Sequence, residues 1–240
     1  VLKVIVSRNK PEIFNLANDL ALDGIVAIVG ANSEDVVFAN NIIVPDIPAH
    51  TEIKKAKEEG YAAFISDIHI GSSYFLEEEF KRFIKWINGE TGNEKQKEIA
   101  KKVKYLFIVG DLVDGVGIYP GQDKELLLDD IYEQYEKCAE YLKKIPPDIS
   151  IIICPGNHDA MRIAEPQPPL YPDFAKPIYL LKNVTLVSNP ALVNIHSSEG
   201  FFGFDVYMYH GYSFDYYINN VDSLRTNGGY KRADLTMKYL

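Results

Sequence analysis

Four short apolar runs punctuate the chain, and each ends abruptly in polar residues. Ala62-Ala63-Phe64-Ile65-Ser66 leads into Asp67-Ile68-His69, and Tyr105-Leu106-Phe107-Ile108-Val109 into Gly110-Asp111. Ile151-Ile152-Ile153-Cys154 leads into Pro155-Gly156-Asn157-His158-Asp159, and Val206-Tyr207-Met208-Tyr209 into His210-Gly211. Runs this short, rich in β-branched and aromatic residues and closed by glycine or proline, predict buried strands. Strand alternation aims Asp67 and His69 to the same side. Polar side chains crowded at the carboxyl ends of core strands have no packing role there, whereas an α/β enzyme places its site at such ends.

Between the runs the period changes. Leu76, Phe80, Phe83, Ile84 and Ile87 fall on one face of a predicted helix. The polar stretch Glu90–Lys104, with Ile99 and Val103 at helical spacing, predicts a solvated helix. Asp129–Lys144 predicts a third, with Ile131, Tyr135, Cys138, Ala139 and Leu142 turned inward. Strands alternating with helices give an α/β fold. Pro166–Pro172 is a proline-rich loop, after which Thr185–Ile195 and Phe204–Tyr209 predict further strands. Upstream, a strand over Leu2–Val6, a helix over Pro11–Leu22 and strands over Ile25–Val29, Val36–Ala39 and Ile42–Val44 have the content of half a small β-barrel. Pro45-Asp46-Ile47-Pro48 and the charged Thr51–Gly60 segment mark a linker. The expected organisation is a domain over 1–48, a linker over 49–60 and a second domain over 61–240.

Composition narrows the function classes. The 240 residues are 47% hydrophobic and 25% charged, as expected for a globular chain. A net charge of −9 disfavours a broad basic surface gripping nucleic acid unaided, and suits acidic side chains that hold metal cations. No apolar run approaches the roughly 20 residues needed to span a bilayer, so no membrane partner is expected. Cys138 and Cys154 predict reduced, buried thiols, which fits the cytoplasm. The chain opens on Val1 rather than methionine, so a fragment or a missing leader is expected.

Asp-x-His, Gly-Asp, Gly-Asn-His-Asp and His-Gly, in that order behind four strands, resemble the calcineurin-like metallophosphoesterase superfamily. That resemblance implies an α/β (α+β) fold, a metallophosphoesterase β-sandwich flanked by helices. The chemistry follows from the substrate: a phosphodiester is anionic and slow to hydrolyse, and two divalent ions roughly 4 Å apart both neutralise it and activate water. Asp111 is the candidate bridge, Asp67 and His69 the candidate ligands of one ion, and Asn157 and His210 those of the other. Mixed carboxylate, imidazole and amide donors suit manganese or iron, with nickel or zinc as alternatives, better than an all-oxygen magnesium site. His158 is the candidate proton donor to the leaving oxygen and Asp159 the residue expected to orient it. Asp114 is expected to be structural, His50 a linker residue and His196 a surface residue at a strand end. Tyr74, Tyr119, Tyr212 and Tyr216 are candidates for stacking bases.

The flanks narrow the resemblance further. Phe38-Ala39-Asn40-Asn41-Ile42-Ile43-Val44-Pro45-Asp46-Ile47-Pro48, Gly110-Asp111-Leu112-Val113-Asp114-Gly115-Val116-Gly117 and Tyr209-His210-Gly211-Tyr212-Ser213-Phe214-Asp215 are similar to the small subunits of archaeal family D DNA polymerases. The resemblance implies that the N-terminal piece is part of an OB-fold β-barrel. It further implies that the phosphoesterase domain carries 3′→5′ exonuclease proofreading on DNA 3′ ends, beside a large catalytic subunit and, through the complex, the sliding clamp. A non-catalytic scaffold subunit and a stand-alone metallophosphatase or phosphodiesterase are the alternatives. One departure stands out: the superfamily closes its site with a Gly-His-x-His motif, and no histidine follows His210. Gly228-Gly229-Tyr230 does not replace it, and Ala233–Leu240 predicts a final helix, so a truncated chain is expected, with activity belonging to the full-length protein.

Overall fold

The computed structural model describes residues 1–45, 53–228 and 236–237. His50 and residues 46–52 of the expected linker lie outside the described residues, as do Gly229, Tyr230 and all of the expected final helix except Thr236 and Met237. The chain divides into two compact units, Val1–Ile53 with Gly211–Leu240, and Lys54–His210.

In the first unit, β1 (Lys3–Ile5) and the helix α1 (Pro11–Asn18) precede a hairpin of β2 (Ala27–Ser33) and β3 (Val36–Ile43). Pro11 opens α1, where its missing N–H costs nothing. The sheet order is β1-β3-β2, with β1 parallel to β3. The two strands expected over Val36–Ala39 and Ile42–Val44 are one strand. Asn40 is the extra residue of a bulge opposite Val29 and Gly30, where it accepts a bond from Lys10 Nζ at 2.6 Å. Solvent on that face makes a polar pair compatible with an unbroken strand.

The second unit is built on four parallel strands. In chain order these are β4 (Tyr61–Ile65), α2 (Glu77–Ile87), α3 (Glu94–Ala100), β5 (Val103–Val109), α4 (Ile131–Leu142), β6 (Ser150–Cys154), α5 (Pro172–Tyr179) and β7 (Val184–Leu186). The hairpin β8 (Ala191–Ile195) and β9 (Phe204–Met208) follows. The sheet order β4-β5-β6-β7 carries every strand in one direction, so the carboxyl ends meet at one edge. Alternation then sorts the two faces. Leu106, Ile108, Ile151 and Ile153 pack with Tyr135, Cys138, Leu142 and Ile178 of the helices. Phe107, Ile152 and Cys154 pack with Met208, Val193 and Val206 of the hairpin. Burial on both faces explains why these strands read as continuous apolar runs. The mixed α/β fold with helices outside the sheet is therefore as expected.

Helix ends follow local chemistry. Glu77, Glu78 and Glu79 fill the first turn of α2, favourable at the positive end of its dipole. Asn93 and Gln96 form a reciprocal capping box on α3, and the Asp130 carboxylate caps α4 through the Tyr132 N–H. Val103 begins β5 instead of continuing the polar helix. The single strand expected over Thr185–Ile195 is two, β7 and β8, in different sheets. Pro190 cannot donate to a ladder, and Asn189 pairs instead with Gln167 through two backbone bonds. The helix α5 begins at Pro172, where only a loop was expected. After the second unit, α6 (Phe214–Asn220) and α7 (Asp222–Thr226) belong to the first unit, where the Ser223 N–H bonds Asp19 Oδ1 near the end of α1. Both cysteines are free and buried, and no described helix is long and apolar enough to cross a membrane.

Candidate metal centre

The strand-end loops are stitched together before any side chain is considered. Asp67 N–H donates to the Gly110 carbonyl, Ile68 and His69 N–H to that of Asp111, and Asp114 N–H to that of Ile70. Asp67, His69 and Asp111 each hold a positive φ, at 54°, 54° and 51°. Left-handed backbone is uncommon outside glycine and clusters at functional sites, because the surrounding structure must impose it. Here it turns three candidate ligands off their strand ends into one space. Glycine permits the remaining approach: a Cβ on Gly156 would lie 2.2 Å from Asp111 Oδ1, and one on Gly110 2.3 Å from His210 Nδ1.

Asp111 occupies the centre and is buried. Its Oδ1 accepts the His158 backbone N–H at 2.8 Å, which leaves Oδ2 facing two imidazoles. His69 Nε2 lies 3.6 Å from Oδ2 and His210 Nε2 3.4 Å from it. Asp67 Oδ1 stands 3.9 Å from His69 Nε2 on the first side, and Asn157 Oδ1 3.0 Å from His210 Nε2 on the second. The structure thus brings together all five expected ligands, in two groups that share Asp111.

The far nitrogens of both rings are committed. His69 Nδ1 lies 3.0 Å from Asp114 Oδ1, and His210 Nδ1 lies 2.8 Å from the Val109 carbonyl oxygen. These acceptors draw the Nδ1 hydrogen and leave each Nε2 lone pair facing Asp111, the arrangement by which a neighbouring acceptor fixes a metal-ligating histidine. Carboxylate, amide oxygen and imidazole donors converging on two points fit divalent cations. Without them, Asp111 raises the pKa of His210. Burial favours the neutral ring, but the carboxylate outweighs it and brings the value to about 9. His69 is raised in the same way by Asp67, Asp111 and Asp114 against the effect of burial. The His69 bond holds the Asp67 carboxyl below its usual range.

Asp114 holds its neighbours in place, whereas Asp159 bonds other groups than the one expected. His158 Nδ1 lies 2.8 Å from the backbone oxygen of Asp114, so Asp114 positions His69 with its side chain and His158 with its main chain. Gln122 Nε2 bonds Asp114 Oδ2 at 2.8 Å and fixes that carboxylate. Asp159, expected to orient His158, is fully buried and accepts the Gly156 N–H at 2.8 Å, with Tyr135 Oη 3.4 Å away. Burial, then the charge of Asp111, pushes its pKa to about 7. A second buried bridge was not anticipated. Asn189 accepts the His210 N–H and donates to Gln167 Oε1, while Gln167 donates to the Gly156 carbonyl. It ties the loop carrying Asn157 to the loop carrying His210. Neither residue carries a sequence signal, since both lie in irregular segments; the inward Gln134, which bonds Gly115 N–H, does interrupt the apolar stripe of α4.

The centre opens into a cavity of about 530 Å³ lined by Asp67, His69, Asp114 and His158 together with Tyr74, Tyr119 and apolar residues. Tyr119 donates its hydroxyl to Glu125 at 2.6 Å, which raises its pKa to about 12. Tyr212 and Tyr216 are exposed residues of the first unit. His196 bonds Tyr105 and the Glu58 carbonyl at the end of β8, apart from the centre.

A parallel sheet with histidine and carboxylate side chains gathered beyond its carboxyl edge fits a metallophosphoesterase fold, and the chain belongs to the calcineurin-like phosphoesterase family, which it matches over residues 61–237. Among its relatives, the DNA polymerase II small subunit of Methanothermobacter thermautotrophicus is 42% identical over 239 residues, 100% of this chain and 47% of that protein. The protein of the same name from Methanocaldococcus jannaschii is 44% identical over 220 residues, covering 91% of this chain and 36% of its own length. That of Pyrococcus furiosus is 44% identical over 204 residues, covering 84% and 32% respectively. The chain therefore spans about half the length, or less, of these relatives.

Proposed function

We propose that the chain is the phosphoesterase-bearing part of the small subunit of a two-subunit archaeal replicative DNA polymerase, and that it removes nucleotides from DNA 3′ ends by hydrolysing phosphodiesters. The observation that carries the reading is the shared carboxylate, Asp111 Oδ2 between His69 Nε2 and His210 Nε2 at 3.6 and 3.4 Å, in a chain similar to DNA polymerase small subunits. Asp67 and His69 would hold one divalent ion and Asn157 and His210 the other, with Asp111 common to both; the donor set favours manganese. Such ions, when bound, would neutralise the phosphate and make water acidic enough to attack near neutral pH.

The residues of the chain do the rest. Asp114 and the Val109 carbonyl fix the ring orientations, and the His158 N–H fixes Asp111. His158, with Nδ1 engaged by the Asp114 carbonyl, keeps Nε2 free to hand a proton to the leaving oxygen. The buried Asp159 holds the Gly156 turn that presents Asn157. In the first unit, a helix between two parallel-paired strands beside a hairpin supports reading residues 1–48 as part of an OB-fold barrel. A cytoplasmic location, a large catalytic subunit as partner and, through it, the sliding clamp complete the reading. The test is digestion of 3′- and 5′-labelled single-stranded DNA in manganese by the full-length protein with its large subunit, beside Asp111→Ala. Shortening from the 3′ end that Asp111→Ala abolishes supports the proposal. A subunit that binds its partner and cuts nothing is a scaffold instead.

A further inference from the structure

Asn157 and His210, assigned above to one ion, stand on loops far apart in the chain, and two buried amides set their separation. Asn189 Oδ1 accepts the His210 N–H at 2.9 Å, Asn189 Nδ2 donates to Gln167 Oε1 at 2.7 Å, and Gln167 Nε2 donates to the Gly156 carbonyl at 3.0 Å. Gly156 immediately precedes Asn157. A further bond from Gln167 Nε2, 2.9 Å to the Arg162 carbonyl, engages the other hydrogen of that amide. Asn189 is fully buried and Gln167 is 2% exposed.

Each amide can face only one way. The His210 N–H needs an oxygen and the two carbonyls need an NH2 group, so Gln167 Oε1 is left to meet Asn189 Nδ2. Turning either amide over would set like against like where no water can intervene. The main chain adds a second clasp, with Gln167 N–H bonded to the Asn189 carbonyl at 2.7 Å and Asn189 N–H to that of Gln167 at 3.0 Å. Gln167 lies in the proline-rich loop, where Pro166, Pro168 and Pro169 carry no N–H and hold a fixed φ. The one main-chain donor of residues 166–169 is therefore bonded to Asn189.

On the other side of the centre, His69 is held by Asp114, which Gln122 fixes in turn. The two sets share no residue. We propose that Asn189 and Gln167 are positioning residues for one ion alone, that assigned to Asn157 and His210, and that the proline-rich loop thereby sets the affinity for it independently of the ion assigned to Asp67 and His69. The proposal rests on the two-metal reading above and divides that centre into halves that can be weakened separately.

The experiment titrates manganese into the full-length protein under electron paramagnetic resonance, in which two ions sharing a carboxylate give an exchange-coupled spectrum unlike that of a lone bound ion. Gln167→Met keeps the volume and removes the amide, and Asn189→Asp keeps an acceptor for the His210 N–H but sets an oxygen against Gln167 Oε1. In each, the lone-ion spectrum should appear at the native manganese concentration, and the coupled spectrum should need at least about tenfold more. Asn183→Ala removes a bond to the Ile149 carbonyl at the amino ends of β6 and β7, and should lower the melting temperature while leaving both spectra native. A coupled spectrum at native manganese in either folded variant, equal weakening of both ions, or an equal loss in Asn183→Ala overturns the proposal. If the native protein gives no coupled spectrum, the two-metal reading falls by itself, and the tie is judged by hydrogen exchange at the His210 amide. Gln167→Met leaves the Asn189 acceptor in place, so exchange about tenfold faster at His210, with the amides of β6 unchanged, supports the positioning role. Unchanged exchange at His210 overturns it.

Discussion

The backbone N–H of His158 donates to Asp111 Oδ1 at 2.8 Å, and this bond decides which oxygen of Asp111 faces the two imidazoles. A single residue pair thereby links the proposed proton donor to the proposed shared metal ligand. Asp111→Asn keeps an acceptor for the His158 N–H but removes the charge. The expected result is a folded protein whose manganese affinity and nuclease rate both fall by at least about 100-fold. Titration of manganese by electron paramagnetic resonance, beside the labelled-strand assay, checks it; near-normal binding would remove Asp111 from the bridge.

Asp114 acts one step further out. Its Oδ1 takes His69 Nδ1 while its main-chain oxygen takes His158 Nδ1, so a side-chain substitution separates the two tasks. Asp114→Asn should weaken metal binding by about 10- to 100-fold through the misdirected His69 ring. The contact to His158 should persist, so activity should recover at high manganese. A variant that stayed inactive at saturating metal would mean that Asp114 does more than hold His69.

Metal-free protein should lose stability as pH rises. His210 is raised from 6.5 to about 9, so its pairing with Asp111 is fully stabilising below pH 6.5 and is lost as pH climbs through 9. Asp159 is raised from 3.8 to about 7 by burial and by the charge of Asp111, so its contribution is present below pH 3.8 and lost through pH 7. Both act in the same direction. With chelator present, the melting temperature should fall between pH 6 and pH 9, and Asp111→Asn should flatten the His210 part of that fall. A melting temperature that rose across this range would contradict the assignment.

Much of this centre was legible because strand ends are punctuated chemically. Asp67, His69, Asp111, Asn157 and His158 stand directly behind apolar runs that the parallel register carries to one edge, and His210 stands behind the apolar run of β9 in the hairpin. What alternation does not encode is side-chain partnership across loops. Asp159 follows His158 in sequence, yet its carboxylate turns inward to the Gly156 N–H, while Asp114 reaches both histidines from another loop. The Asn189–Gln167 bridge joins segments that share no periodic pattern. Positive φ at Asp67, His69 and Asp111 is imposed by the paired loops, on residue types that tolerate it better than most. The break between β7 and β8 was signalled by Pro190, whose effect on a strand is local and readable.

The buried thiols should be inert in the native protein. Burial pushes Cys138 far up and Cys154 to about 12, with the charge of Asp159 adding to both. At pH 8 roughly one Cys154 in ten thousand is then a thiolate, and access is closed as well. Neither should react with a disulfide reagent in native protein over an hour, and both should react within seconds in denaturant. Rapid labelling of either in the folded state would show that the sheet core opens.

The tightest steric relationship gives the last test. A methyl group on Gly156 would stand 2.2 Å from Asp111 Oδ1 and 2.5 Å from the Asp111 nitrogen, both far inside contact distance. Neither neighbour can retreat, because Oδ1 is held by the His158 N–H and the loop behind it by the Ile68 and His69 bonds to the Asp111 carbonyl. Gly156→Ala should therefore cost about 1–3 kcal/mol of stability, the usual range for overpacking. It should also push the Asn157 turn away from Asp111, lowering metal affinity more than stability alone explains. Comparing manganese binding well below the melting temperature separates the two effects. If Gly156→Ala bound manganese as the native protein does, the close approach of these two loops would be a packing feature and not a condition for the centre.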